Sequence, residues 1–312
     1  MTDAVGGPVV AAGLLQESLT FTTIGVLQGA LYGLLAVGLV LVYKGARVFN
    51  FAQGEFGTVA AFIMFVLLEQ AGLPFAAALL GGLAAAVLVG LLVERLVIRP
   101  LFNASRVTVL VALVGVALFI IAVTFVVGKP EPRVLRSIVD LDPASSDFVL
   151  LGANIEMQQV LVVLVLGALA AVLAYLFKRT NTGLAVLALS QDPTATRIMG
   201  ISIPAMSRLI WGFAALLGGI AGILQAGIPG QVFTPGFMTA TSLIPAFAGA
   251  VLGGMTSLPG AFAGGILIGV AQNLGIALLQ RVEVPGASEL TVFAVLLIVL
   301  LVRPRGLLGT EA

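Results

Sequence analysis

Histidine and cysteine are both absent from these 312 residues, and only 9% of the chain is charged, so few side chains are equipped for chemistry. That removes disulfides, thiol nucleophiles, histidine bases and the usual zinc or haem ligands. Serine and threonine hydroxyls remain, but there is no Glu or Asp pair placed to activate one, so a hydrolytic site lacks its nucleophile and base. A phosphate loop is missing too, because the only Gly-Lys pair, Gly128-Lys129, is followed by Pro130. What is left is a scatter of polar residues within apolar runs: Gln28, Tyr32, Gln225, Thr239, Thr241, Ser242, Gln272 and Asn273, with Asn50, Gln53 and Glu55 near the start of one run. Amides and hydroxyls so placed either satisfy one another between helices or line a path for a zwitterionic or neutral polar solute. Glu55 has two readings: a charge favoured by a helix N-terminus at the inner membrane edge, or a member of the path. Ion-driven carriers and pumps need ionisable groups at depth, and here they are few.

The elements that must position these residues are membrane spans. Hydrophobic residues make up 60% of the chain and mean hydropathy is +1.18, whereas a soluble domain has about 25% charged residues. A net charge of +1 offers no electrostatic case for nucleic acid. About 20 apolar residues cross a bilayer core, and such windows fall at 21–43, 53–69, 75–97, 107–127, 157–177, 205–226, 238–253, 260–279 and 290–302. The window at 238–253 is short, glycine-rich and carries Pro245, so it is either a crossing or a broken, re-entrant segment. An all-α polytopic bundle of eight or nine spans is therefore expected, as one transmembrane domain over 1–312. Polar connectors reach about 30 residues, too short for a soluble core. Residues 1–20 have no Lys or Arg to flank a secretory signal, so the N-terminus is expected to be retained.

Basic residues stay on the cytoplasmic side and orient the bundle. Lys44, Arg47, Arg95, Arg99, Arg106, Lys178, Arg179, Arg197, Arg208, Arg303 and Arg305 fall in alternate connectors, against Lys129, Arg133, Arg136 and Arg281 in the others. With nine crossings the N-terminus is external and the C-terminus cytoplasmic. Connector 129–156, with Glu131, Asp140, Asp142, Asp147 and Glu156, is then external. Glycines repeat every four residues at Gly25, Gly29 and Gly33, at Gly218 and Gly222, at Gly260 and Gly264, and at Gly265 and Gly269. This spacing lets helix backbones approach closely, as plain packing, as faces that slide, or as contact with a second subunit.

The cytoplasmic connector 178–204 carries its own folding instructions. Asp192 suits an N-cap, Pro193 the first helical position and Gly200 a left-handed stop, which delimits a two-turn helix at 193–199. Residues 183–190 are apolar enough for another short helix. With Ala195, Ile198 and Met199 on one side, the capped helix is shaped to dock in another protein's groove or to lie on the bilayer surface.

Phe49 to Glu55, Gln191 to Ile201 and Ala250 to Ala261, occurring in that order, resemble motifs of the membrane permease subunits of branched-chain amino acid ABC importers. Gln191-Asp192-Pro193, then Ala195 and Gly200-Ile201, is similar to the family's EAA-like loop, with Gln191 where a Glu is usual. Phe49-Asn50-Phe51-Ala52-Gln53-Gly54-Glu55 resembles its signature between the first two spans, and Gly253-Gly254-Met255-Thr256-Ser257-Leu258-Pro259-Gly260 its turn. The likeness covers nearly the whole chain. It implies a translocation subunit of the bacterial inner membrane that is not itself an enzyme. ATP and Mg would be bound by a partner ATPase pressed against the 178–204 loop, through Gln191, Asp192, Pro193, Ala195, Arg197, Ile198, Met199, Gly200 and Ile201. An external solute-binding protein would dock near 129–156, and a second homologous permease would pair with this one in the bilayer. Urea, short amides and other small carboxylates compete with leucine, isoleucine and valine as the solute, and a carrier working without ATP is the rival from another class.

Overall fold

The computed structural model describes residues 6–135, 147–150, 153–228, 231–279, 284–303 and 306–307. Helices α1 (Gly6–Ala46), α2 (Gln53–Phe65), α3 (Phe75–Val93) and α4 (Arg106–Gly128) come first. A hairpin of β1 (Asp147–Leu150) and β2 (Ala153–Glu156), antiparallel with Asp147 opposite Glu156, leads into α5 (Met157–Arg179). Two short helices, α6 (Asn181–Gln191) and α7 (Pro193–Ile198), precede α8 (Ile203–Ala226). The chain closes with α9 (Ile244–Gly253), α10 (Leu258–Leu279) and α11 (Ala287–Val302). Wider π-helical turns extend α2 at Val66–Gln70 and α3 at Glu94–Ile98, and another, Thr239–Leu243, leads directly into α9.

Every apolar window of the sequence falls on one of these helices, and the molecule is an all-α polytopic bundle. Five helical stretches are long and apolar enough to cross a membrane: Ser18–Ala46, Phe75–Ile98, Arg106–Gly128, Ile203–Ala226 and Leu258–Leu279. A sixth candidate, Val162–Phe177, joins Asn181–Leu189 through a 76° bend. The apolar helices at Thr239–Gly253 and Ala287–Val302 are shorter, so five or six of the eight or nine expected spans are established by length and composition. The β-hairpin is an element that the sequence reading did not foresee. Asp140, Asp142, Arg136, Arg281 and Arg305 lie outside the described residues.

Glycine sets the closest packing. Gly25, Gly29 and Gly33 of α1 face Gly265, Gly269 and Phe262 of α10, which runs antiparallel to it. A Cβ on Gly29 would lie 2.6 Å from the Ile266 Cα, and one on Gly25 would lie 2.7 Å from the Val270 Cα, closer than real side chains come. Without a hydrophobic drive between helices in lipid, backbone contact of this kind supplies the dispersion that holds them. A second seam joins Gly57 of α2 to Gly218 and Gly222 of α8. Helices α3 and α4 instead present Leu80, Leu88, Val107, Leu118 and Phe119 outward, the pattern of a lipid-facing surface.

Charge inside the bundle is paired where α3 ends. Glu94 is fully buried, and its Oε2 accepts from Arg99 Nη2 at 2.9 Å. At the opposite end of α4, Arg133 stacks over the Phe62 ring at 4.9 Å and donates to the Gly128 carbonyl. Its backbone exchanges hydrogen bonds with Phe233, tying the start of connector 129–156 to the segment after α8.

Candidate functional site

The predicted capped helix in the 178–204 connector is present. Asp192 Oδ1 accepts from Ala195 N at 3.0 Å, and its carbonyl accepts from Thr196 Oγ1 at 2.7 Å, so one residue satisfies both backbone and side-chain donors of the first turn. At the other end Gly200 has φ +80°, its N–H donates to the Arg197 carbonyl and the Ile201 N–H to the Thr196 carbonyl. That pair of bonds is a Schellman stop, which needs the left-handed conformation that glycine adopts without strain. Thr180 caps α6 in the same manner, accepting from Gly183 N at 3.1 Å. Ile198 and Met199 are each 80% exposed, whereas Thr196, which the sequence reading passed over, is buried against the bundle. Gln191, Ala195 and Arg197 are exposed, and Ile201 is half-buried. A shallow groove of ≈ 380 Å³ runs along α6 and α7 past Leu184, Asp192, Ala195 and Met199. Behind these helices, a deeper cleft of ≈ 600 Å³ is lined by Arg47, Arg106, Gln191, Arg197, Ser207 and Trp211.

The polar residues named as a path fall into two groups on different helices. In the first, Asn273 Nδ2 donates to Gln28 Oε1 at 3.0 Å and to the Gly269 carbonyl at 2.9 Å, joining α1 to α10. Gln272 Nε2 donates to Ser288 Oγ at 2.5 Å, joining α10 to α11, and Tyr32 lies beside it. One atom of this group, Gln272 Oε1, has no hydrogen-bond partner.

The second group lies between α2, α8 and the π turn at Thr239–Leu243. Asn50 Nδ2 donates to Gln53 Oε1 at 3.1 Å, and Gln53 Nε2 donates to the Ala214 carbonyl at 2.8 Å. Asn50 Oδ1 accepts from Ala52 N, Gln53 reaches across to α8, and α2 has no side-chain cap. Ala214 is the twelfth residue of α8, roughly 16 Å along it at 1.5 Å per residue. Helix α2 therefore starts inside the bundle, and Glu55 is fully buried instead of standing at an edge. On the π turn, Gln225 Nε2 donates to Thr241 Oγ1 at 3.1 Å, and Ser242 Oγ donates to Gln225 Oε1 at 2.6 Å. The hydroxyls of Thr58 and Thr239 stand beside the Glu55 carboxylate as its side-chain hydrogen-bond donors, and among the described residues no further donor and no cation lies against its oxygens. Thr58 stands three residues after Glu55, so helical spacing could have flagged it; nothing local to Thr239 pointed to Glu55. Among the described residues no three His, Cys, Asp or Glu converge as a metal site would require.

Residues 21–301 match the family model for the branched-chain amino acid transport system / permease component. The chain belongs to that permease family. It is 30% identical over 293 residues to the high-affinity branched-chain amino acid transport system permease protein BraD of Pseudomonas aeruginosa, covering 91% of this chain and 94% of the relative. It is 28% identical to the corresponding LivH of Salmonella typhimurium, over 91% and 93% of the two chains. A probable branched-chain amino acid transport permease protein LivH from Methanocaldococcus jannaschii is 26% identical, over 92% of each. Permease membership accounts for a bundle with amides at depth, and the chain is a multi-pass transport subunit.

Proposed function

We propose that this permease is the translocation subunit of a bacterial inner-membrane ABC importer for branched-chain amino acids, coupled to a separate ATPase through α6 and α7. The supporting observation is α7 itself, a two-turn helix closed at both ends whose tip offers Ile198 and Met199 at 80% exposure. A helix this short is not stable by itself, so its caps and the buried Thr196 hold an apolar tip in a fixed place. Such a tip is suited to insertion in a groove of a neighbour. Orientation follows the basic residues: the end of the bundle with Arg47, Arg106 and Arg197 faces the cytoplasm, and the N-terminus and the 129–156 connector face outward.

ATP and Mg act on the ATPase, and this chain has no phosphate loop. An external solute-binding protein delivers solute near the β1–β2 hairpin, and a second homologous permease completes the passage. The polar groups on the π turn and along α1 and α10 line the route. Alternating access is a rigid-body rearrangement biased by the partner's different affinity for the two states.

Asp192→Ala combined with Gly200→Val tests the coupling role. The loss of the cap costs about 1 kcal/mol, and a β-branched residue at positive φ adds about 1–2 kcal/mol, enough to unfix α7 while the spans stay folded. Uptake should fall while the amount of permease in the membrane is unchanged, and binding-protein-stimulated ATP hydrolysis should fall with it. Unchanged stimulated hydrolysis would overturn the assignment of α7. Uptake into vesicles lacking the ATPase and binding protein would overturn the importer reading in favour of a carrier working alone.

A further inference from the structure

We propose that Glu55, with the Thr58 and Thr239 hydroxyls, receives the ammonium group of the transported amino acid between α2 and the π turn. The inference rests on the importer reading and deepens it. A buried carboxylate normally accepts several hydrogen bonds or faces a cation, because removing it from water without a partner is costly. Glu55 is fully buried, with the Thr58 and Thr239 hydroxyls beside its carboxylate and no cation facing it among the described residues. Hydroxyls that donate to the carboxylate keep lone pairs of their own, so four oxygen atoms with spare acceptor capacity meet at one place. Three N–H donors of an alkylammonium fit that set.

The neighbouring backbone agrees. Thr239 begins a π turn, a rare geometry that often marks functional positions. On that turn Ala240 and Thr241 are exposed and Thr239 is half-buried. The two elements lie close together: a Cβ on Gly54 would lie 2.7 Å from Thr239 Oγ1 and 2.9 Å from Thr239 N. A shift of the π turn away from α2 would carry the Thr239 hydroxyl with it and uncover the carboxylate. Within the same wall, Gln225, Thr241 and Ser242 are already tied to one another. Their bonds leave Glu55 as the charged group that this wall has to offer.

Two lesser occupants, a proton and a structural water, are separated from an ammonium by Glu55→Gln, which keeps the shape and hydrogen-bonding capacity of a neutral carboxyl and removes the charge. The full importer is reconstituted with its ATPase and binding protein, and labelled leucine uptake and stimulated ATP hydrolysis are measured on the same vesicles. Loss of a desolvated charge pair predicts leucine uptake lowered about tenfold or more in E55Q, with stimulated hydrolysis within about twofold of wild type and Glu55→Asp recovering part of the uptake. Uptake by E55Q within about twofold of wild type means that a proton or water satisfies the site and overturns the proposal. Loss of uptake and of stimulated hydrolysis together, with a lowered melting temperature, assigns Glu55 a structural role and overturns it as well. Leucine uptake by the wild type without ATP would instead defeat the importer reading, and the E55Q to wild-type ratio would still decide the role of Glu55.

Discussion

The polar group between α1, α10 and α11 and the one between α2, α8 and the π turn use the same residue types to opposite ends. In the first, Asn273 donates to Gln28 and Gln272 to Ser288, Gln272 Oε1 is left without a hydrogen bond, and the helices that carry them meet along a glycine seam. In the second, Gln225, Thr241 and Ser242 are paired while the Glu55 carboxylate faces two hydroxyls and no cation. A satisfied network fixes helices in one arrangement. An unsatisfied buried group is retained at a cost, and that cost marks where a ligand or a movement is to be sought.

Three substitutions break or sharpen this contrast. The largest effect is expected from Gly265→Leu, because even a Cβ there runs into the backbone of Gly33, and insertion of a full side chain costs about 3 kcal/mol or more. Purified protein should melt well below wild type in detergent; an unchanged melting temperature would show that the seam is not fixed. Next comes Asn273→Leu, which removes the donor to Gln28 and leaves a half-buried amide oxygen unpaired for about 1 kcal/mol. Its melting temperature should drop, with leucine uptake per folded molecule falling less than in Thr239→Val. The smallest effect on stability belongs to Thr239→Val, where the hydroxyl beside Glu55 is exchanged for a methyl of similar shape, at about 1 kcal/mol or less. Uptake should nevertheless decline. A drop in melting temperature as large as that of Asn273→Leu would erase the distinction between the two groups.

Much of this architecture was legible because it is written in local periodicity. Apolar windows of span length found the helices, and glycines four residues apart marked the faces that meet. Asp192 and Gly200 bound α7 because caps act within a few residues of themselves. Pairings across the bundle left no such trace: Gln28 and Asn273 are joined over 245 positions, and Gln53 finds Ala214 over 161. The depth at which α2 starts depends on that second contact, which is why the sequence left Glu55 with two readings, an edge charge or a member of the path. The 76° bend between α5 and α6 follows from Thr180 closing one helix and opening the next, since its Oγ1 also donates to the Leu176 carbonyl. The β1–β2 hairpin was masked by its setting in a polar connector.

The α1–α10 seam has a mechanical corollary. With main chain resting on main chain there is no clearance for one helix to rotate or shear past the other, so the pair is a keel about which the remaining helices swing. Spin labels placed on the outer faces of these two helices should keep one separation throughout a transport cycle, however far the π turn travels.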